Sequence, residues 1–159
     1  MLEHYQEQAA PLPLEFDFSR AKQDKLIAYL SGVLHDKNMH LIWNQVAAYL
    51  RFLRGLEKQV IATLLKALKD KDDDVRVSAV RALGNLQLVD EPVVTALLMS
   101  AKDKNKHVKT AVALAMSLSK PTDERIITTL TLLARDDDDE VRMIAAMAQG
   151  LVRPVMNGS

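Results

Sequence analysis

Asp70-Lys-Asp-Asp-Asp-Val-Arg76 is the stretch that decides the fold, because the chain repeats its pattern twice more. The two further copies are Asp103-Lys-Asn-Lys-His-Val-Lys109 and Asp136-Asp-Asp-Asp-Glu-Val-Arg142. Each copy begins with an Asp and ends with a Val and a basic residue. The step from one copy to the next is the same both times and is called the repeat interval below. A fixed period of this length is typical of solenoids, in which each unit buries its apolar face against its neighbours. The sequence therefore predicts a repeat protein, and it favours an extended binding surface over a catalytic pocket.

Apolar residues on both sides of each copy recur at helical spacing and predict a pair of helices in each unit. The predicted helices cover residues 57–69 and 74–87, 91–102 and 106–119, and 123–134 and 139–153. Pro92 and Pro121 lie with acidic neighbours at two of the predicted helix starts. At such a start a missing N–H costs nothing, and the helix dipole favours negative charge. The corresponding units are about 57–90, 91–122 and 123–153.

Residues 24–56 are predicted to form a degenerate first unit of the same series. Ile42 precedes Val75 by one repeat interval, but Lys37 stands where Asp belongs and Trp43 stands where Arg belongs. Terminal repeats are atypical because one of their faces does not meet another repeat. The predicted domain organisation has three parts: an extended segment at 1–22, a repeat domain at 23–154 and a tail at 155–159.

The repeated pattern resembles a known family. An Asp-x5-Arg element preceded by an apolar helix and followed by Ala79-Val-Arg-Ala-Leu-Gly84 resembles HEAT repeats, in particular the short HEAT-like repeats of the phycobilisome-lyase type. The resemblance implies an all-α fold, a right-handed α-solenoid of about four HEAT-like helix pairs. It also implies a structural ladder between the units, formed by Asp70, Arg76, Asp103, Lys109, Asp136 and Arg142. Their regular recurrence favours the same interpretation, because a row repeated for stacking is not an active site.

The composition restricts the class of protein. The 159 residues include no Cys, so neither a disulfide framework nor a thiolate zinc site is available. No apolar run reaches the roughly 18 residues of a membrane span, and the first residues lack the pattern of a signal peptide. We therefore expect a cytoplasmic protein without membrane contact. Twenty-one basic residues balance 21 acidic ones, and this balance disfavours nucleic acid, whose binders usually carry a basic excess.

No motif for catalysis, a metal or a cofactor stands out. The acidic run at Asp136 lacks the Gly and the distal Glu of an EF-hand loop, and it fits a helix-capping turn better. The four His are scattered, the five Gly form no phosphate-binding loop, and no Ser lies in a nucleophile elbow. The sequence predicts a protein that is not an enzyme and that uses no cofactor.

The second helix of each unit carries residues that are predicted to face away from the core and that become more apolar toward the C-terminus. One row runs Arg81, Leu114, Met147, and its neighbours run Val77, Thr110, Met143; Ser78, Ala111, Ile144; and Asn85, Leu118, Leu151. From these rows we predict a partner-binding surface at six residues: Arg81, Leu114, Leu118, Met143, Met147 and Leu151.

The last helix, from Val141 to Val152, is apolar nearly all round, although a closing repeat needs a polar outer face. Three interpretations compete. In the first, the chain is a fragment of a longer array. In the second, the helix binds a partner or a second copy of the chain, with Met143 and Met147 as adaptable contacts. In the third, the N-terminal apolar segment folds back over the helix, which is difficult because that segment belongs to the opposite end of the solenoid.

Three functions follow as hypotheses. The first is a non-catalytic protein-binding or scaffold module that uses the surface lined by the second helices. The second, which rests on the resemblance alone, is an accessory subunit of a bilin lyase or a similar chromophore-attaching enzyme. The third is a nucleic-acid-binding protein similar to HEAT-like DNA glycosylases, against which the zero net charge argues.

Overall fold

A computed structural model describes residues 57–87, 90–119 and 123–152. This part of the chain contains six α-helices and no strand. In chain order they are α1 (Glu57–Ala67), α2 (Asp73–Asn85), α3 (Glu91–Ser100), α4 (Lys106–Leu118), α5 (Glu124–Leu133) and α6 (Asp139–Val152). The predicted extended segment, first unit and C-terminal tail lie outside the described residues.

Polar side chains fix where the helices begin. Asp72, Asn105 and Asp123 each accept a hydrogen bond from a backbone N–H in the first turn of α2, α4 and α5, respectively. Asp138 does the same for α6, accepting from the N–H groups of Glu140 and Val141. Such caps satisfy N–H groups that have no partner within the helix, and each stabilises a helix by about 1 kcal/mol. The acidic runs thus serve as helix starts.

The first helices of the units end one or two residues earlier than predicted, at Ala67, Ser100 and Leu133. After Ala67 the chain tightens into a turn, in which the N–H groups of Lys69 and Asp70 donate to carbonyls only three residues back. The carbonyl groups of Asp70 and Lys71, which follow this turn, accept hydrogen bonds from the side chain of Arg76.

The six helices form two layers of a solenoid. Helices α2, α4 and α6 form one layer, in which α4 packs between the other two, and these contacts are the most extensive in the described part. Helices α1, α3 and α5 form the second layer and contact one another more sparsely. The prediction of an all-α solenoid of helix pairs is confirmed.

The core recurs at the same repeat interval as the sequence motif. On the first helices the buried rows are Val60, Val93, Ile126 and Leu64, Leu97, Leu130. On the second helices they are Val75, Val108, Val141; Ala79, Val112, Ala145; and Ala82, Ala115, Ala148. Val94, next to Val93, is buried as well.

Small residues set the distance between neighbouring second helices. A Cβ atom placed on Gly84 of α2 would lie 2.8 Å from the Cβ of Ala115 on α4 and 2.9 Å from its Cα. A side chain at position 84 would therefore push the two helices apart, so glycine is needed here for the close approach of two backbones.

Candidate protein-binding surface

Arg76 joins the second unit to the third. Its Nε donates to Oδ2 of Asp103 at 2.9 Å, and its Nη1 donates to the carbonyl oxygen of Asp70 at 2.9 Å. Only 10% of its side chain is exposed. The hydrogen bond to Asp103, followed by the charge of that carboxylate, raises the pKa of Arg76 against the effect of burial. One guanidinium thus holds its own turn and the turn of the next unit.

Lys109 makes the equivalent contact between the third and fourth units. Its Nζ donates to Oδ2 of Asp136 at 2.6 Å, and both side chains are largely buried. This hydrogen bond is the main reason why the pKa of Asp136 lies below its ordinary value. A paired, partly buried charge of this kind is costly to separate from its partner.

The repeated Asp residues also shape their own turns. The carboxylates of Asp70, Asp103 and Asp136 each accept a hydrogen bond from the backbone N–H two residues later, at 2.8–3.0 Å. Such Asx turns set up the cap of the helix that follows. Of the six predicted ladder residues, the structure pairs Arg76 with Asp103 and Lys109 with Asp136 by side chain, whereas Asp70 meets Arg76 through its carbonyl group.

A second set of polar contacts between units was not predicted. The Nδ2 of Asn105 donates to Oδ2 of Asp73 at 2.8 Å, and this bond is the main cause of a lowered pKa at Asp73. One unit further on, Nζ of Lys106 lies 3.6 Å from Oδ2 of Asp138 and 3.4 Å from Oε2 of Glu140. The residue types change from unit to unit, so a search for constant positions misses them. The sequence signal is that both partners change together: Asp73 and Asn105 are replaced by Lys106 and Asp138 one repeat interval later.

Large apolar side chains lie exposed on α4 and α6, and four of them form two pairs at equivalent positions of the two helices. Leu114 and Leu118 are 44% and 46% exposed, and Met147 and Leu151 are 62% and 73% exposed. Together with Arg81, which forms no ion pair with any described residue, they are called the lateral surface below. A groove of about 430 Å³ runs between α2 and α4, and its lining includes Arg81, Asn85, Leu114 and Leu118.

Some residues of the predicted outward rows do not face outward. Ala111 is buried, so its assignment to an outward row is wrong. Val77 and Ile144 are partly buried and pack against the core. These positions lie on the flank of the helix, where a neighbouring second helix covers them. Met143 is 57% exposed, but it shares its row with the partly covered Val77 and Thr110.

The first helices carry two exposed apolar residues that the sequence reading missed. Met99 on α3 and Leu132 on α5 are both 65% exposed, and they lie one repeat interval apart. A groove of about 480 Å³ beside Met99 is lined mainly by polar residues, among them Lys102, Glu124 and Arg125. Comparing the first helices at the same interval would have found this pair.

Arg125 makes this second groove strongly charged. Its Nη1 and Nη2 donate to the two carboxylate oxygens of Glu91 at 2.7 and 2.9 Å, and it also pairs with Asp123. Its hydrogen bonds are the main reason why the pKa values of Glu91 and Asp123 are lowered. The first-helix surface therefore carries paired charges near its apolar residues, whereas Arg81 of the lateral surface has no ion-pair partner among the described residues.

The chemistry of the described residues is otherwise that of helix caps and ion pairs. Within 57–87, 90–119 and 123–152, no group of three or more His, Asp or Glu side chains is placed to hold a metal ion. No helix in this part of the chain is long and apolar enough to span a bilayer.

Comparison with known proteins gives one result for the family. A family model described as HEAT repeats matches residues 61–150, which include most of α1 through α6. No curated protein matches the chain.

Proposed function

The chain belongs to the HEAT-repeat family, and on that premise we propose that it is a non-catalytic module that binds a protein partner on its lateral surface. HEAT repeats generally mediate protein–protein interaction. The observation that carries the proposal is the alignment of four exposed apolar side chains, Leu114, Leu118, Met147 and Leu151, along two adjacent helices.

The exposed side chains form two ridges that a partner can cover together. Leu114 and Leu118 lie four residues apart on α4, as Met147 and Leu151 do on α6, so each pair occupies one face of its helix. Contiguous apolar residues on a surface mark sites of protein interaction, because water leaves them when a partner binds. The flexible Met147 adapts to the shape of the bound surface.

The polar ladder supports binding by keeping the two ridges in place. Lys109 is anchored to Asp136 of the next unit, so α4 and α6 are held in a fixed relation at their N-terminal ends. A surface that is ordered before binding loses less conformational entropy when the partner arrives. Arg81, at one edge of the groove, offers a cation to an acidic residue of the partner, which adds orientation to the apolar contact.

Capture of partners from the native source tests the proposal. The bait is the full chain, compared with a Leu114→Glu/Met147→Glu variant that places two carboxylates on the lateral surface. The matched control is Met99→Glu/Leu132→Glu, which makes the same change at residues that are equally accessible on the first helices. We expect the control to recover the wild-type partners and the lateral variant to lose them. Equal recovery by wild type and lateral variant would overturn the proposal.

The two alternative functions are separated from this one by direct tests. The resemblance of the repeats to those of the phycobilisome-lyase type suggests an accessory subunit of a bilin lyase. Co-expression with a bilin and a phycobiliprotein subunit would show covalent attachment that depends on this chain if that alternative holds. A nucleic-acid-binding function predicts binding to duplex DNA that weakens steeply with salt, because counterions are released from phosphates. We expect neither result from a protein-binding module.

A further inference from the structure

The outer face of α6 repeats the face on which α2 and α4 each receive the next second helix. Val80 on α2 and Ala113 on α4 are fully buried, whereas Ala146, which holds the same position on α6, is exposed. Gly84 lies against Ala115, whereas no atom of the described residues lies within 4 Å of a Cβ added to the equivalent Gly150. Positions that are covered on α2 and α4 are thus exposed on α6.

Arg142 reproduces the contacts of Arg76 within its own unit. Its Nη1 donates to the carbonyl oxygens of Asp136 and Asp137 at 2.6 and 2.9 Å, and its Nη2 pairs with Asp139, as Arg76 pairs with Asp73. Nε of Arg76 donates to Asp103 of the following unit, whereas Nε of Arg142 has no acceptor among the described residues. The Arg142 side chain is 41% exposed, against 10% for Arg76.

Within the described part of the chain, Asp139 likewise lacks a donor that would correspond to Asn105, the partner of Asp73. Asp73 accepts a hydrogen bond from Asn105 of the next unit, whereas the side chain of Asp139 is 94% exposed. The residue of the third unit that corresponds to Asp73 and Asp139 is Lys106, and it pairs with the acidic Asp138 of the fourth unit. An acidic residue at this position is therefore paired with a donor in the turn of the next unit, and a basic residue is paired with a carboxylate.

We propose that the outer face of α6, formed by Asp139, Arg142, Met143, Ala146 and Gly150, docks a HEAT-like helix pair of a partner protein. The turn of that helix pair carries an Asp that accepts from Nε of Arg142. Two residues later it carries an Asn, or a Lys or Arg, that donates to Asp139. Small apolar residues on its second helix pack against Ala146 and Gly150, as Ala115 packs against Gly84. This face is separate from the lateral surface, so the inference does not depend on the proposed function.

The charges argue against a second copy of this chain stacking head to tail as the occupant. At the two turn positions, the first unit has Lys37 and Met39 where the third has Asp103 and Asn105. In a docked turn, a Lys at the first of these positions would oppose the like charge of Arg142, and a Met at the second would offer no N–H to Asp139. Like charges placed opposite each other disfavour a contact. A different polypeptide with an Asp-x-Asn or Asp-x-Lys turn satisfies both groups.

The test supplies the missing unit from the chain itself. In the test protein, residues 153–159 are replaced by a copy of residues 87–119 that follows Val152 directly. This copy keeps the repeat interval and brings an Asp-x-Asn turn to the outer face of α6. A mismatched version carries Asp103→Lys and Asn105→Asp within the appended copy. In each protein an Ala146→Cys change provides the only thiol, because the chain has no Cys. The rate at which a maleimide reagent labels this thiol reports whether the face is covered.

We expect fast labelling in the chain without the copy and slowing by about 100-fold or more with the matched copy, because labelling then requires local opening. The mismatched copy leaves labelling within about threefold of the chain without a copy, since it opposes like charges at both positions. Equal rates with the matched and mismatched copies would overturn the inference. Slow labelling without any copy, with a dimeric mass by light scattering, would also overturn it in favour of self-association.

Capture with a charge-reversed variant, Asp139→Lys/Arg142→Glu, extends the test to the natural partner. A protein that is lost with this variant and has a helix pair with an Asp-x-Asn, Asp-x-Lys or Asp-x-Arg turn supports the inference. Recovery of the same proteins by wild type and variant would overturn it.

Discussion

The face of α2 that receives α4 and the outer face of α6 share an Asp, an Arg and a Gly at equivalent positions but have different surroundings. Arg76 and Arg142 hold their own turns in the same way, and Gly84 and Gly150 occupy the same position of their helices. One arginine is mostly buried against the next unit, and the other is 41% exposed. The comparison predicts that a repeated residue stabilises the fold more where a neighbouring unit covers it.

Replacing the two arginines gives the largest expected difference between these faces. Arg76→Ala leaves Asp103 partly buried without its cation, and we expect the free energy of unfolding to fall by about 3 kcal/mol. Arg142→Ala removes a more exposed ion pair, and we expect a loss of less than about 1 kcal/mol. Urea denaturation of both variants measures the two values, and equal losses would contradict the comparison.

The two glycines provide the second contrast. Gly84→Ala forces a Cβ against Ala115, and we expect a loss of about 1–3 kcal/mol because the core is overpacked. Gly150→Ala meets no neighbour, and we expect a gain of about 0.5–1 kcal/mol because Ala favours the helix more than Gly does. Opposite shifts of the urea midpoint are the predicted result. A loss from both changes would mean that α6 is covered in solution.

The Lys109–Asp136 pair gives stability that depends on pH. The pKa of Asp136 is lower in the folded protein than in the unfolded chain, so its contribution is fully present above about pH 4 and is lost as pH falls through the folded pKa. We expect Asp136→Asn to lower the free energy of unfolding by about 1–2 kcal/mol at pH 7 and by less at pH 3. The control is Asp137→Asn in the same turn, whose side chain is exposed. A loss independent of pH would contradict the assignment.

Changes on the lateral surface have the smallest expected effect on stability. Leu114 and Met147 already face solvent, so Leu114→Glu/Met147→Glu changes the free energy of unfolding by less than about 1 kcal/mol. Thermal unfolding by circular dichroism checks this expectation. A much larger loss would show that these side chains contribute to the core.

The sequence predicted the helices and their pairing because the repeat interval determines which positions share an environment. It did not predict that Ala111 is covered, since a small apolar residue is compatible with either face of a helix. The pair Asp73–Asn105 was missed because its residue types vary between units, although the geometry does not. Met99 and Leu132 were missed because only the second helices had been compared. Constant positions thus indicated the fold, and variable positions required the packing of neighbouring helices to be known.

The central claim is that the lateral surface, and not the surface of the first helices, binds the protein partner. The most direct measurement is the dissociation constant of the captured partner for two double variants of the full chain. We expect Leu114→Glu/Met147→Glu to weaken binding by about 100-fold or more, since two buried interface residues each contribute about 1–2 kcal/mol or more. Met99→Glu/Leu132→Glu is expected to change the constant by less than about threefold. Weaker binding by the first-helix variant, with the lateral variant unchanged, would contradict the claim.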